Sequence, residues 1–223
     1  MATPRNTIMV KKIIDADQLI ALYMNWVLTN EREPKSVYAF AQANEMEEAD
    51  FYVHFGSFDG LKQMIWVKFF HNATTILAAD ASYATYTSKN KLLTLYFTLF
   101  EVLTLNRSYI LYSLKDNNEG LKNLKALRQF RSHFKSFVVA IIESDHMTNV
   151  GKLEKVTKPV FSEGAWIQFL LILKFWLDDG SAGFEKTDIV IEKSVNTVVD
   201  LLDTKPLENL IDLGKFLWKE RML

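Results

Sequence analysis

The sequence predicts an all-α protein, and three observations support this prediction. Long stretches carry apolar residues at helical spacing, and no segment alternates apolar and polar residues as a half-buried strand does. Helix-breaking residues are scarce, with 4 prolines and 8 glycines among 223 residues. Half of the residues are apolar, so the chain can bury a substantial core.

The composition limits the possible chemistry and partners. The absence of cysteine excludes disulfides, thiolate nucleophiles and thiolate-bound zinc. A formal net charge of −1, with both signs interspersed, means that any attraction to nucleic acid or acidic lipid must be local. The opening residues MATPRNTIMVKK hold too few apolar residues for a secretory signal, which predicts a cytoplasmic protein.

The most apolar run, AWIQFLLILKFWL at residues 165–177, is interrupted by Gln168 and Lys174. It is shorter than the roughly 20 residues that span a bilayer. We therefore predict a buried helix and no transmembrane segment.

The first quarter of the chain predicts three short helices followed by a long one. Residues 13–29 place apolar side chains on one face, which is typical of a surface helix. Ser36 is a suitable N-cap for the second helix, and the third ends near Phe55. Ser57 caps the fourth helix, which begins near Phe58.

Further helices are predicted after the first quarter, separated by polar turns such as KDNNEG and DDGSAG. In the second turn we predict Gly180 as a C-cap and Thr187 or Asp188 as the next N-cap. The pattern of residues 122–135 predicts a basic amphipathic helix, which is either a solvated face or a surface for acidic lipid, an acidic partner or nucleic acid. The predicted helices span residues 89–115, 119–144, 161–178, 186–203 and 206–221.

Residues 13–61 resemble the DNA-binding head of the tetracycline-repressor (TetR) family. Tyr52, His54 and Phe55 match the tyrosine and histidine-phenylalanine pair with which the family's reading helix ends. The upstream SVYAFAQAN is similar to the family's second helix, and Leu61 follows at the usual distance. The resemblance implies a helix-turn-helix head at residues 1–60 and a larger helical domain at residues 61–223 that binds a ligand and dimerises.

The resemblance also implies a homodimer that pairs helices at about residues 161–178 and 186–203. The alternative is that both helices only fill a monomeric core. The aromatic middle of the chain suits a small apolar ligand or lipid, since helix bundles hold such sites between helices, although a solidly packed core gives the same pattern. The candidate ligand-binding residues are Phe97, Phe100, Tyr109, Phe134, Trp166 and Phe169.

The predicted reading helix is acidic, and this weakens the case for DNA. Residues 1–63 contain six Lys and Arg residues against nine Asp and Glu residues. Glu45 stands where the family usually has a turn glycine, and Glu47, Glu48 and Asp50 repel phosphates from the reading helix. Phe58 replaces the usual phosphate-contacting lysine. The remaining candidate DNA contacts are Lys11, Lys12, Lys35, Ser36, Tyr52, His54, Ser57 and Lys62.

No catalytic constellation, metal site or cofactor is predicted, because the four histidines lack zinc-ligand spacing and no phosphate loop or nucleophile elbow occurs. The sequence thus favours a TetR-like transcriptional regulator, not an enzyme, whose DNA binding is modulated by a small apolar ligand. The alternative is a TetR-fold accessory protein that binds a lipid or a partner and has lost DNA binding.

Overall fold

The computed structural model describes residues 14–116, 120–144 and 154–202. These described parts of the chain are helical and contain no strand, as predicted. The helices are α1 (Ala16–Asn30), α2 (Val37–Ala43), α3 (Glu48–His54), α4 (Phe58–Ala79), α5 (Ser88–Leu105), α6 (Arg107–Leu111), α7 (Arg128–Ser144), α8 (Glu154–Asp178) and α9 (Glu185–Leu202).

The chain divides into two compact units. Among the residues that the structure describes, the first unit contains those up to Trp66 together with those of Arg107–Leu127, and the second contains Val67–Asn106 and those from Arg128 onward. Residues 107–127 thus pack with the three-helix head. The predicted functional division at residue 61 remains a prediction, because packing alone does not assign a function to either part.

The core of the first unit is aromatic. Phe40 of α2 is fully buried, and its ring lies 5.7–6.4 Å from the rings of Tyr23, Phe51 and Phe58. Edge-to-face contacts of this kind stabilise a core beyond the area that they bury. Phe58, which replaces the family's lysine, therefore belongs to the core of the head.

Side-chain caps define where the head helices begin, and the sequence predicts those of α2 and α4. The Ser36 hydroxyl accepts the backbone N–H of Ala39 at 3.1 Å at the start of α2. The Ser57 hydroxyl accepts the N–H of Gly60 at 3.2 Å at the start of α4. The N-terminus of α1 has a capping box, in which the Asp15 carboxylate accepts the N–H of Gln18 at 2.8 Å.

The helices of the second half differ from the prediction at several boundaries. The helix predicted at residues 89–115 stops at Leu105, because Asn106 caps it through a side-chain hydrogen bond of 2.9 Å to the carbonyl of Val102. The helix predicted at residues 119–144 begins with a 3₁₀ segment, Gly120–Leu127, before α7. The predicted helix at residues 206–221 lies outside the described residues.

Helix α8 is longer than predicted, because it begins at Glu154 and contains Pro159. Among the described residues, its segment Lys158–Asp178 is long and apolar enough to cross a membrane by length and composition alone. Half of that segment is buried inside the protein, and core helices pass the same test, so this is weak support for a membrane span.

Candidate functional site

The carboxylates of α3 have structural partners within the helix. The Asp50 carboxylate accepts the backbone N–H of Glu47, the N-cap residue, at 3.2 Å. The Glu48 carboxylate accepts the hydroxyl of Tyr52 at 3.2 Å. Negative charge in a first helical turn is favourable, because it offsets the unpaired N–H groups there. The acidic residues of α3 therefore stabilise the helix. The same negative charges disfavour its contact with DNA.

The turn between α2 and α3 has the backbone conformation of a glycine turn. Glu45 has a φ of 54°, in the left-handed region that favours glycine. The N–H of Met46 reaches back to the carbonyl of Ala41 at 3.1 Å, which closes the end of α2 in the manner of a Schellman motif. The head thus keeps the turn geometry and places a strained glutamate in it.

Replacing Glu45 with glycine is expected to raise the free energy of unfolding by about 0.5–1 kcal/mol. The left-handed conformation costs a residue with a side chain about 1–2 kcal/mol, and glycine relieves this strain. Part of the gain is lost because glycine has greater conformational freedom in the unfolded chain. Urea unfolding measures the change. Glu45→Ala is the matched control, since it removes the charge and keeps a Cβ. An equal gain in both variants would contradict a backbone origin.

Two of the predicted DNA contacts have other partners in the structure. Tyr52 is exposed, but its hydroxyl donates to Glu48. His54 donates through Nε2 to the backbone carbonyl of Ile14 at 2.9 Å, which ties the start of α1 to the end of α3. The hydrogen bonds of Tyr52 and His54 thus explain why these residues occur here without involving DNA.

Lys62 is engaged in two ion pairs. Its ammonium lies 2.9 Å from Glu33 and 2.9 Å from Asp59, and its side chain is only 17% exposed. Burial lowers the pKa of Lys62, but the two carboxylates outweigh it and raise the pKa overall. This lysine is therefore positively charged and already neutralised.

The other predicted DNA contacts are either exposed or outside the described residues. Lys35 is exposed, and the hydroxyls of Ser36 and Ser57 cap helices as described above. Lys11 and Lys12 lie outside the described residues.

The exposed surface of α2 and α3 also carries large apolar side chains. Tyr38 is 60% exposed, Tyr52 52% and Val53 75%. Exposed apolar groups of this size are available for contact with a partner.

The predicted ligand residues divide between the two units. Tyr109 belongs to the first unit and is 2% exposed, and burial is the main cause that raises its pKa. It lines a cavity of about 10 Å³, room for about one water molecule. The remaining lining residues are Tyr23, Glu33, Lys62, Trp66, Tyr112, Ser113 and Ala126.

The other predicted ligand residues lie in the second unit. Phe134 and Phe169 are fully buried, and Phe169 contacts Phe100, Phe134 and Trp166 at ring-centroid distances of 5.3–5.9 Å. Phe97 is half-buried on α5. The contacts form one aromatic cluster. Ligand binding among these rings remains a prediction.

The turn between α8 and α9 contains a buried carboxylate that the sequence prediction did not recognise. Asp179 accepts the backbone N–H and hydroxyl of Ser181 at 2.9 and 2.7 Å, and those of Thr187 at 3.0 and 2.7 Å. The prediction of Thr187 or Asp188 as an N-cap is wrong, because α9 begins at Glu185 and Thr187 donates to Asp179.

Gly180, the predicted C-cap of α8, does not have the left-handed conformation that favours glycine. The glycine with a left-handed φ is Gly183, at 61°, not Gly180. Phe184, which follows it, has a φ of 60°. Two consecutive left-handed residues thus turn the chain into α9.

Helix α8 turns an apolar stripe outward. Leu171 is 65% exposed, and the other members of the stripe are 40–54% exposed. Solvent-facing apolar stripes of this length mark contact surfaces. The stripe consists of Val160, Ile167, Leu171 and Phe175.

An open groove of about 520 Å³ adjoins the stripe near the end of α8. The lining contains Leu171, Phe175 and Gly180, and its charged residues are two lysines and two aspartates, Lys174, Lys186, Asp178 and Asp179. No group of three or more metal-ligating side chains occurs among the residues that the structure describes.

The observations define an all-α protein with a helix-turn-helix head and a helical second unit that exposes an apolar stripe. The family described as tetracyclin repressor-like, C-terminal domain, matches residues 91–217, more than half of the chain. The protein belongs to the tetracycline-repressor (TetR) family of regulators, as the sequence predicts. No curated protein sequence matches the chain.

Proposed function

We propose that the protein is a dimeric, cytoplasmic TetR-type transcriptional regulator, without enzymatic activity, in which a small apolar ligand in the second unit modulates DNA binding by the head. The ligand acts through linkage: it alters DNA affinity only by binding one arrangement of the two heads more tightly than another. The observation that carries the proposal is the apolar stripe of α8 in a chain of this family.

The stripe supports a homodimer. Ile167 and Leu171 lie about one helical turn apart on α8, and Ile189 of α9 is also 49% exposed. Burying such side chains against a second copy removes apolar area from water at roughly 25 cal/mol per Å². The predicted pair of helices at about 161–178 and 186–203 corresponds to α8 and α9.

The aromatic cluster of the second unit supports a ligand of apolar character. Apolar sites between helices bind such molecules through burial and a few polar groups. The proposed ligand-binding residues there are Phe97, Phe100, Phe134, Trp166 and Phe169. Tyr109, the sixth residue of the predicted set, belongs to the first unit and is not part of this cluster.

DNA contacts of the head are proposed for Lys35 and for the residues that begin α2 and α4. Ser36 and Ser57 lie at helix N-termini, where backbone N–H groups and the helix dipole favour phosphate. The remaining members of the proposed contact set are Lys11, Lys12, Tyr52, His54 and Lys62.

A second candidate function is favoured by the charges of the head. Glu47, Glu48 and Asp50 lie on the helix that would enter the major groove, and Lys62 is neutralised by Glu33. Because affinity for DNA depends on neutralising phosphates, these features favour a TetR-fold accessory protein that binds a lipid or a protein partner instead.

Gel retardation at low ionic strength separates the two functions. The regulator retards DNA from upstream of its own coding region, and added salt weakens the complex, because phosphate contacts release counterions. Lys35→Glu should weaken retardation, whereas Lys89→Glu, at a half-exposed position near the start of α5, should not. Absence of retardation by the wild type contradicts the regulator. A lipid retained through purification and identified by mass spectrometry would then support the accessory protein.

A further inference from the structure

We propose that Gln168 sets the rotation of α8 about its own axis and thereby selects which apolar face α8 turns outward. The inference concerns the second unit alone. It does not depend on DNA binding, on a ligand or on the dimer.

Helix α8 carries apolar side chains on two faces. Trp166, Phe169 and Leu173 are buried, whereas Ile167 and Leu171 on another face are apolar and exposed. The area buried favours the observed rotation, because the buried face holds the larger aromatic side chains. Buried hydrogen bonds add a directional preference, since the hydrophobic effect itself is non-directional.

Gln168 interrupts this apolar surface and has partners on two other helices. It is 6% exposed, and its Oε1 accepts the hydroxyl of Tyr96 on α5 at 3.3 Å. Its Nε2 donates to the hydroxyl of Ser194 on α9 at 2.9 Å. The Tyr96 hydroxyl also donates to the backbone carbonyl of Ala165 at 2.9 Å. One buried amide thus links α8 to both α5 and α9.

These hydrogen bonds distinguish the observed rotation from the alternatives. A buried amide that loses its partners is strongly disfavoured, whereas apolar side chains exchange places without such a loss. Single buried polar residues select register in the same way in coiled coils. Only the observed rotation directs Gln168 toward both Tyr96 and Ser194.

Other polar groups on α8 constrain the rotation less. Glu163 pairs with Arg131 and Lys135 of α7, but these side chains are 31–46% exposed, and exposed ion pairs contribute little. Ser162 is buried, but its hydroxyl donates to the carbonyl of Pro159 in its own helix and so carries no information about rotation.

The absence of native cysteine allows a direct test by thiol labelling. Ile172→Cys on α8, where Ile172 is 1% exposed, and Leu95→Cys on α5, where Leu95 is fully buried, are made in separate full-length proteins. Each thiol is labelled under native conditions with Gln168 intact and with Gln168→Leu. We expect Gln168→Leu to accelerate labelling of Ile172→Cys roughly tenfold, with little change for Leu95→Cys, because only α8 changes its exposed face.

Controls separate rotation from general loosening. Gln129→Leu, at an exposed position of α7, should change neither labelling rate. Tyr96→Phe removes the hydroxyl that contacts Gln168 and the Ala165 carbonyl, but it keeps the ring and the bond from Gln168 to Ser194, so it should accelerate labelling of Ile172→Cys by a smaller factor. If Gln168→Leu does not fold, the same comparison is made with Tyr96→Phe combined with Ser194→Ala. Unchanged rates, or equal acceleration of the α8 and α5 thiols, would overturn the proposal.

Discussion

Replacing Asp179 with alanine is expected to lower the free energy of unfolding by about 2–3 kcal/mol, because hydrogen bonds to a charged group are strong and the variant leaves their neutral donors without this acceptor. The Asp179 side chain receives two backbone and two hydroxyl donors from Ser181 and Thr187, and the residue is 7% exposed. Urea unfolding followed by circular dichroism measures the loss as a lower midpoint.

The neighbouring Asp178 supplies a matched control, because its side chain is exposed. Asp178→Ala should change stability by less than about 1 kcal/mol, as is usual for surface positions. Similar losses in the two variants would show that the hydrogen-bonded turn has no special role.

The same carboxylate gives a pH dependence with a defined sign. Burial opposes ionisation of Asp179, but the hydrogen bonds from Ser181 and Thr187 outweigh it and lower its pKa. Its contribution is therefore fully present above the unfolded carboxyl pKa of about 3.9 and is lost as the pH falls toward the lower folded value. The wild type should therefore lose more stability than Asp179→Ala as the pH falls from about 5 toward strongly acidic values.

Replacing Phe169 with alanine is expected to cost about 3–5 kcal/mol of unfolding free energy, the usual range for a fully buried phenylalanine. Phe169 is 0% exposed, and Phe130 and Trp166 lie within 5.0–5.3 Å of its ring. The loss combines the transfer of the ring to water and the cavity that remains.

Leu105→Ala, at the end of α5, is the control, since Leu105 is 86% exposed, and it should cost about 1 kcal/mol or less. The comparison also addresses the ligand. A loss below about 1 kcal/mol for Phe169→Ala would mean that the aromatic cluster is loosely packed and can open to a ligand.

Features that depend on local sequence were predicted correctly. The buried face of α1 and the caps Ser36 and Ser57 follow from helical spacing and from side chains that bond within three residues. The glycine-like turn at Glu45 was found because its neighbours resemble a known turn, and its φ of 54° agrees.

Features that depend on distant partners could not be predicted. Lys62 looked like a phosphate contact, but Glu33, 29 residues away in sequence, neutralises it. Tyr109 was grouped with the aromatic cluster because of its type, yet it packs in the first unit. Periodicity shows which face of a helix is apolar, and it does not show which other helix covers that face.

The difference in exposure between the two apolar faces of α8 could not be predicted from the sequence either. A helix that is apolar nearly all round predicts burial, but it does not reveal that Ile167 and Leu171 face outward. Gln168 was the visible signal, because a single amide in such a run requires partners.

Sedimentation equilibrium of the wild type and of Leu171→Glu tests the central claim most directly. The apolar stripe of α8 predicts that the wild type sediments at twice the chain mass of 25.8 kDa at micromolar concentration. Leu171→Glu should sediment as a folded monomer, and Ile76→Glu, at a 54% exposed position of α4, should remain dimeric. A wild type that sediments at 25.8 kDa, or a Leu171→Glu variant that stays dimeric, would contradict the account.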